Sequence, residues 1–284
     1  MKVRFWHSDK PRERLLSEAF LEGVKLHGDQ TDVRALGEAI TIDCDVAVMV
    51  GVKSKDLFQA HARAGIQLIY MDKGYARHSR TDAIRGWEYW RVAVNGHHPT
   101  GKYRANIPGD RLKEIGWKFK PWRKEGKQIV IAGSSQKYHN FYDLKSPTDW
   151  ATKLVKQLND LSPRRQIVYR PKPSWKDAEP IVNTTYSKDN GEGIDEVLKG
   201  AHALVTHGSN ACFEAMLAGV PSIILGDAVA KPISSTAIED IEKPRLASDE
   251  EREALLRWLA YQQWTMAEMV SGLAWKNIRK QIFD

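Results

Sequence analysis

The sequence predicts a two-lobed α/β protein, with a parallel sheet in each Rossmann-like lobe and the two sheets facing a cleft. In the first half of the 284-residue chain, short β-branched runs alternate with amphipathic helical segments. The alternation restarts in the second half, after a basic stretch rich in Trp, Gly and Pro. Parallel strands need crossover helices, and the spacing of the runs leaves room for them.

Periodicity and breaker residues give the elements of the first lobe. We expect strands at 2–6, 45–52 and 67–71, helices at 12–26 and 55–65, and a further strand at 90–95. The pattern breaks over 73–126, and we place the lobe boundary so that the lobes are 1–124 and 125–284. The first would bind an acceptor and the second a nucleotide sugar.

The second half repeats the alternation. We expect strands at 127–133, 166–170, 202–206 and 222–226, helices at 148–161, 194–200 and 210–219, and a helical end at 249–280. Ligands of parallel sheets bind outside the carboxyl ends of the strands. The residues that follow each strand are therefore the candidates for a site.

Composition excludes several classes of protein. Hydrophobic residues make up 42% and charged residues 28%, as in an ordinary folded protein. No apolar run approaches the ~20 residues of a membrane span, and the start lacks a signal-peptide pattern. The two cysteines, Cys44 and Cys212, have no C-x-x-C neighbour, which argues against zinc ribbons and disulfide scaffolds. These features fit a cytoplasmic protein.

The positive charge is concentrated in one stretch. The net charge is +7, and residues 102–127 hold nine basic and three acidic residues. A basic stretch of this kind indicates, weakly, a polyanionic partner.

The strongest site signal lies in residues 201–227. A strand ends at Thr206, and the turn His207-Gly208-Ser209-Asn210 leads into a helix. Gly208 would allow close backbone approach to a ligand, and Ser209 would cap the helix, whose first N–H groups attract phosphate. An ordinary β-α turn with a capping serine is the plain alternative.

This segment resembles the donor-binding element of GT-B glycosyltransferases, most closely that of bacterial capsule transferases of the Kdo and sialic-acid type. The resemblance is carried by a "thGS…E…G.P" pattern, here Thr206, His207, Gly208, Ser209, Glu214, Gly219 and Pro221. It implies that His207, Ser209 and Asn210 line the donor phosphates and that Glu214 meets the sugar or ribose. It also implies a UDP-sugar or CMP-sugar donor.

Two further segments resemble the same lobe, in the same order. In IVIAGSSQKYHNFY (129–142), Gly133, Ser134, Ser135 and Gln136 would donate to the diphosphate, unless they form only a small-residue turn. In VYRPKP (168–173), Arg170 and Lys172 would contact phosphate, unless they are solvated loop charges.

The sequence departs from one pattern of that fold. Retaining members often carry a second Glu eight positions after the first, but position 222 is Ser222 rather than a partner for Glu214. We therefore expect an inverting enzyme with a general base in the first lobe. Asp72, directly after a strand, is the first choice, and Asp9 is the second. Asp72 could instead pair with a nearby cation, and Asp9 could cap a helix.

We expect no metal or cofactor requirement. Asp43-Cys44-Asp45 spells the D-x-D of metal-dependent transferases, but it precedes a strand rather than following one, and we reject it as a metal site. In GT-B enzymes, helix dipoles and basic side chains offset the charge of the leaving diphosphate.

Residues 72–124 interleave basic and aromatic side chains, as an acceptor site would. The candidates are Lys73, Tyr75, Arg77, Trp87, Trp90, Arg91, Lys102 and Arg104. Such residues neutralise phosphates and stack on bases, but they also stack on sugar rings or pack between lobes. The motifs DKGY (72–75), WRVAVN (90–95) and HHPT (97–100) are similar to those of phage-type DNA-modification proteins. That resemblance implies DNA as a partner, hydroxymethylpyrimidine as the acceptor and a host-cytoplasm location.

Three functions are compatible with these observations. The first is a glycosyltransferase that acts on DNA or on a surface polysaccharide. The second is a UDP-sugar epimerase of the same two-lobed fold, which needs no acceptor. The third is a non-catalytic nucleic-acid-binding module, which would bind DNA with a steep salt dependence.

Overall fold

A computed structural model describes residues 1–75, 89–100, 106–188 and 193–283, which form two compact units. The first unit is residues 1–104 together with 258–284, and the second is residues 105–257. The candidate residues Arg77, Trp87, Lys102 and Arg104 lie outside the described residues.

The first unit is a six-stranded sheet with helices packed on it. Its elements up to residue 100 are β1 (Lys2–His7), α1 (Pro11–Lys25), β2 (Gln30–Ala35), β3 (Val46–Val50), α2 (Lys55–Arg63), β4 (Gln67–Lys73) and β5 (Tyr89–Val94). The C-terminal segment adds β11 (Gln263–Thr265), α9 (Met266–Val270) and α10 (Leu273–Phe283). The strand order is β11-β5-β4-β3-β1-β2. Strands β2, β1, β3 and β4 are parallel, whereas β5 and β11 are antiparallel to their neighbours.

Helix α1 starts and packs as its sequence requires. Pro11 occupies the first helical turn, where its missing N–H costs nothing. The apolar face buries Leu16, Phe20 and Val24 against the sheet. On the same side, the ring of Phe20 meets the Trp275 ring edge-on, with centroids 5.8 Å apart. Residues far apart in sequence therefore share one core.

The second unit is a five-stranded, fully parallel sheet. Its elements are α3 (Asp110–Ile115), β6 (Gln128–Ala132), α4 (Gln136–Phe141), α5 (Pro147–Leu161), β7 (Gln166–Arg170), β8 (Thr185–Tyr186), α6 (Ile194–Leu198), β9 (Ala201–Thr206), α7 (Ala211–Leu217), β10 (Ser222–Ile224) and most of α8 (Asp249–Ala260). The strand order is β10-β9-β6-β7-β8. All six residues of β9 are buried, as expected for a strand with both faces covered.

The unit boundaries differ from the predicted lobes. We expected 1–124 and 125–284, with one helical stretch over 249–280. Instead, β11 interrupts the predicted helical stretch. It pairs antiparallel with β5, and residues 258–284 belong to the first unit. The physical reason is that β11 covers the edge of β5 that would otherwise be unpaired, while Trp264 enters the core.

None of the helices within the described residues combines the length and the apolar character that crossing a membrane requires.

The return of the C-terminal segment can be tested by a matched pair of substitutions. Trp275→Ala removes a fully buried ring, so we expect a loss of about 3–5 kcal/mol in unfolding free energy. Phe283→Ala, on the same helix but 55% exposed, should change it by no more than about 0.5 kcal/mol. Urea unfolding of both variants measures the difference. Equal effects would contradict the packing of α10 described above.

Candidate active site

The carboxyl edge of the second sheet gathers most of the predicted donor residues. Strands β9, β6 and β7 are neighbours and parallel, so their carboxyl ends meet at one edge. Gly133 follows β6, Arg170 ends β7 and His207 follows β9. The fold therefore brings together three segments that lie up to 74 residues apart in sequence.

Hydrogen bonds fix the spacing of these strand ends. The Thr206 hydroxyl donates to the carbonyl of Ala132 at 2.8 Å and accepts from the backbone N–H of Ser209 at 3.0 Å. The N–H of Gly133 donates to the carbonyl of Arg170 at 2.9 Å. The loops after the three strands are thus tied to one another through the backbone.

The loop after β6 contains small and polar residues. Gly133 packs closely against Pro171, and Ser134 is buried. Ser135 is the N-cap of α4 in extended conformation, although its side chain makes no cap hydrogen bond. Gln136 is exposed and donates to Asn140 at 2.7 Å.

The two basic residues at the end of β7 differ in exposure. Arg170 is buried at 6% exposure, and its Nη1 donates to the Ser187 hydroxyl at 2.9 Å. Lys172, two residues on, is exposed. Of the two, Arg170 has the side chain that the protein holds in place.

A tyrosine–histidine pair, which sequence reasoning missed, lies at the same edge. The Tyr138 hydroxyl is 3.1 Å from Nδ1 of His207, and their rings meet edge-on. Two glycines make room for the pair, because a Cβ on Gly208 would overlap the Tyr138 hydroxyl and one on Gly226 would overlap the His207 ring. Gly208 therefore seats Tyr138, and its role in close approach to a ligand stays a prediction.

His207 is uncharged at neutral pH. Burial lowers its pKa to about 4, and its electrostatic interactions with His139 and Lys231 act in the same direction. A neutral imidazole here can accept or donate a hydrogen bond without adding charge to the site.

Helix α7 begins one residue later than predicted and is shorter. Its N-cap is Asn210, without a side-chain cap bond, so the expectation that Ser209 is the N-cap is wrong. The Ser209 hydroxyl still accepts from the N–H of Ala211 at 3.3 Å. Glu214 lies in the first turn and is partly exposed.

The carboxyl edge of the first sheet carries a second polar group. Glu13 is buried and accepts hydrogen bonds from the Ser8 hydroxyl, the Ser8 N–H and Lys53 Nζ. Burial alone would raise the pKa of Glu13, but the bonds from Lys53 and Ser8 outweigh it and hold the pKa below its ordinary value. The helical pattern of α1 does not predict that Glu13 is buried, because a Glu in an amphipathic helix usually lies on the exposed face.

The two predicted bases occupy different surroundings. Asp72 lies at the end of β4 with its side chain 39% exposed, and it accepts from Arg91 Nη2 at 3.4 Å and from the Lys73 N–H at 2.8 Å. Asp9 is 89% exposed and pairs with Arg14 at 3.0 Å. Asp9 is not a helix cap either, because the N-cap of α1 is Lys10.

Three of the predicted acceptor residues are buried. Tyr75, Trp90 and Arg91 are 6%, 4% and 1% exposed. Trp90 packs in the hydrophobic core of the unit. The Arg91 guanidinium donates to the Tyr75 hydroxyl at 3.2 Å and to Asp72 at 3.4 Å. Their direct contact with an acceptor stays a prediction. Lys73 is exposed.

Among the described residues, no group of three or more His, Cys, Asp or Glu is arranged to hold a metal ion. The two carboxylates of the D-x-D sequence have structural partners. Asp43 pairs with Arg4 at 2.7 Å and with Lys2 at 2.6 Å, and Asp45 accepts from the Lys2 N–H at 2.7 Å.

Solved structures share this architecture over nearly the whole chain. The beta Kdo 2,7 transferase of KpsC from Thermosulfurimonas dismutans superposes with a TM-score of 0.53 at 14% identity, covering 98% of this chain and 100% of the other. The beta Kdo 2,4 transferase of KpsC from the same organism gives 0.52 at 14% identity, with 90% and 89% covered. No protein-family model and no curated protein sequence matches the chain. The chain has the GT-B glycosyltransferase fold, which confirms the predicted fold class.

The seating of Tyr138 by Gly208 predicts a steric effect. Gly208→Ala should lower the unfolding free energy by about 1–3 kcal/mol, because the new methyl group overlaps the Tyr138 hydroxyl. In a Tyr138→Phe background the same change should cost less, since the first overlapping atom is gone. Urea unfolding of the four proteins gives the coupling. An equal loss of unfolding free energy in both backgrounds would show that the Tyr138 hydroxyl is not what the new methyl group overlaps.

Proposed function

We propose that the protein is a glycosyltransferase that moves a sugar from a nucleotide-sugar donor to a hydroxyl group. The observation that carries the proposal is the carboxyl edge of the second sheet, where Gly133, Arg170 and His207 meet. Parallel sheets bind ligands at this edge. The shared fold supports the proposal, because the KpsC proteins with that fold are named as sugar transferases.

The donor diphosphate or phosphate would lie against this edge. Arg170 would supply charge, and the loops at 133–136 and 207–210 would supply N–H and hydroxyl donors. His207, neutral and held by Tyr138, would contribute a hydrogen bond rather than a charge. Lys172 and Glu214 would contact the outer parts of the donor. UDP-sugars and CMP-sugars are both candidates.

Asp72 is the proposed general base of an inverting reaction. It would take the proton of the acceptor hydroxyl as the oxygen attacks the anomeric carbon, and the nucleotide would leave with the bonding electrons. Its partial exposure leaves a face open to a substrate, and the bond from Arg91 fixes the carboxylate. Asp9 remains the second choice.

Two acceptors are compatible with the structure, a surface polysaccharide and hydroxymethylpyrimidine in DNA. The burial of Trp90 and Tyr75 removes part of the stacking surface that favoured DNA. The observation that still favours it is a run of exposed lysines, Lys113, Lys118, Lys120, Lys124 and Lys127. These lysines suit a polyanion, and DNA is one.

Donor binding is the first test. Thermal shift against UDP, CMP and their sugars should show stabilisation of the wild type by a bound nucleotide. Arg170→Gln should weaken that binding by about 10- to 100-fold, as the loss of a charged hydrogen bond would. The matched control is Arg165→Gln, at the opposite end of β7, where Arg165 pairs with Glu242 at 2.9 Å. Absence of any nucleotide effect on the wild type would exclude a transferase that uses a UDP-sugar or CMP-sugar donor.

Transfer is the second test. Labelled donors are mixed with an oligosaccharide panel and with DNA containing hydroxymethylcytosine or hydroxymethyluracil. Asp72→Asn should reduce kcat by about 10²- to 10⁴-fold, because the acceptor hydroxyl loses its base, while donor affinity is unchanged. Asp9→Asn is the control and should transfer normally. The reverse result would make Asp9 the base, and label in neither acceptor with sugar epimerised would identify an epimerase.

A further inference from the structure

Arg12 lies at the carboxyl edge of the first sheet, and no residue that the structure describes forms an ion pair with it. It is the second residue of α1, which follows the carboxyl end of β1. Its guanidinium carbon lies 4.3 Å from the centroid of the Trp90 ring. Trp90 is at this same edge, since β5 runs antiparallel to β4 and pairs Trp90 with Lys73. The side chain is half-buried, and its Nη2 atom is shielded from solvent.

The charges around Arg12 do not balance. The carboxylates that act on it are Asp72 and Glu13. Each is already held by another cation, because Glu13 binds Lys53 and Asp72 binds Arg91. Within the described part of the chain, Arg12 forms no ion pair and no hydrogen bond through its guanidinium, and Nη2 has no partner. Three cations therefore share two carboxylates, and Arg12 is the one left over.

This arrangement is unfavourable for the protein alone. Burial lowers the pKa of Arg12, and the charges of Asp72 and Glu13 offset that effect only in part. The Trp90 face attracts the cation but cannot accept the several N–H donors of a guanidinium in the way an oxyanion does. A planar guanidinium stacked on an aromatic ring is well suited to bind carboxylate or phosphate with two parallel hydrogen bonds.

We infer that Arg12 is an oxyanion-binding residue that takes a phosphate or carboxylate group of the acceptor substrate. The assignment to the acceptor rests on the proposed function, because the donor contacts are assigned to the second unit. The charge imbalance at Arg12 does not depend on that function. A bound oxyanion neutralises the excess charge and receives the hydrogen bonds that no described residue accepts.

Binding is tested directly with inorganic phosphate and, in a separate arm, with acetate. The readout is the NMR resonance of the Arg12 Nε–H group, assigned by its loss in Arg12→Gln. In the wild type it should shift saturably with the preferred anion, and the arm that saturates at lower concentration distinguishes phosphate from carboxylate. The control variant is Arg14→Gln, on the same turn of α1, where Arg14 pairs with exposed Asp9. It should leave the shift intact. No shift with either anion overturns the inference.

The melting temperature of Arg12→Gln distinguishes a ligand-binding role of Arg12 from a structural one. If Arg12 serves to bind an oxyanion, Arg12→Gln removes an uncompensated charge. The melting temperature without anion should then be unchanged or higher. If Arg12 instead holds Trp90 in place for the fold, the melting temperature should fall. A fall in the melting temperature of Arg12→Gln overturns the inference.

Kinetics then links the site to the acceptor. In Arg12→Gln the KM for an anionic acceptor should rise about tenfold or more, with kcat and the KM for the donor changed less than about twofold. Arg12→Lys should recover part of the loss, since it keeps the charge but not the two parallel bonds. An unchanged acceptor KM in an active enzyme refutes the acceptor role. A wild type that shifts with anion but transfers no sugar refutes the proposed function and leaves the oxyanion site standing.

Discussion

The proposed donor site depends on the parallel pairing of β9, β6 and β7. Side by side and in one direction, these strands deliver the loops after Ala132, Arg170 and Thr206 to a single edge. The Thr206 hydroxyl bridges two of those loops by accepting from one and donating to the other. Because no single segment holds all the donor contacts, the site exists only while this pairing does.

The two sheet edges are built from different chemistry. In the second unit, His207 is kept neutral by burial and is oriented by Tyr138, with Gly226 leaving room for its ring. In the first unit, ionised groups crowd together, and Glu13 is stabilised by Lys53. Uncharged hydrogen-bond donors beside the charged Arg170 suit a phosphate group, which carries negative charge itself. A crowded ionic edge suits a base and a charged substrate.

The C-terminal segment explains why basic and aromatic residues in the first unit are buried rather than displayed. Strand β11 closes the edge of β5, and Gln263 accepts a hydrogen bond from the Tyr75 N–H at 2.9 Å. With both neighbours in place, Arg91 turns inward and holds Asp72. Among the described residues of the predicted acceptor set, Arg91 thus supports the carboxylate of Asp72.

Periodicity and breaker residues are local signals, so the amino-acid sequence alone predicts the alternation of strands and helices and the loops that follow the strands. The resemblance of residues 201–227 to a known family predicts the GT-B fold. The sequence pattern placed β7 at 166–170, where the structure has it. The folded structure was needed to show that Trp90 is buried, that Gly208 seats Tyr138 and that Arg12 has no ionic partner among the described residues. Those facts depend on contacts between residues distant in sequence, which no local pattern encodes.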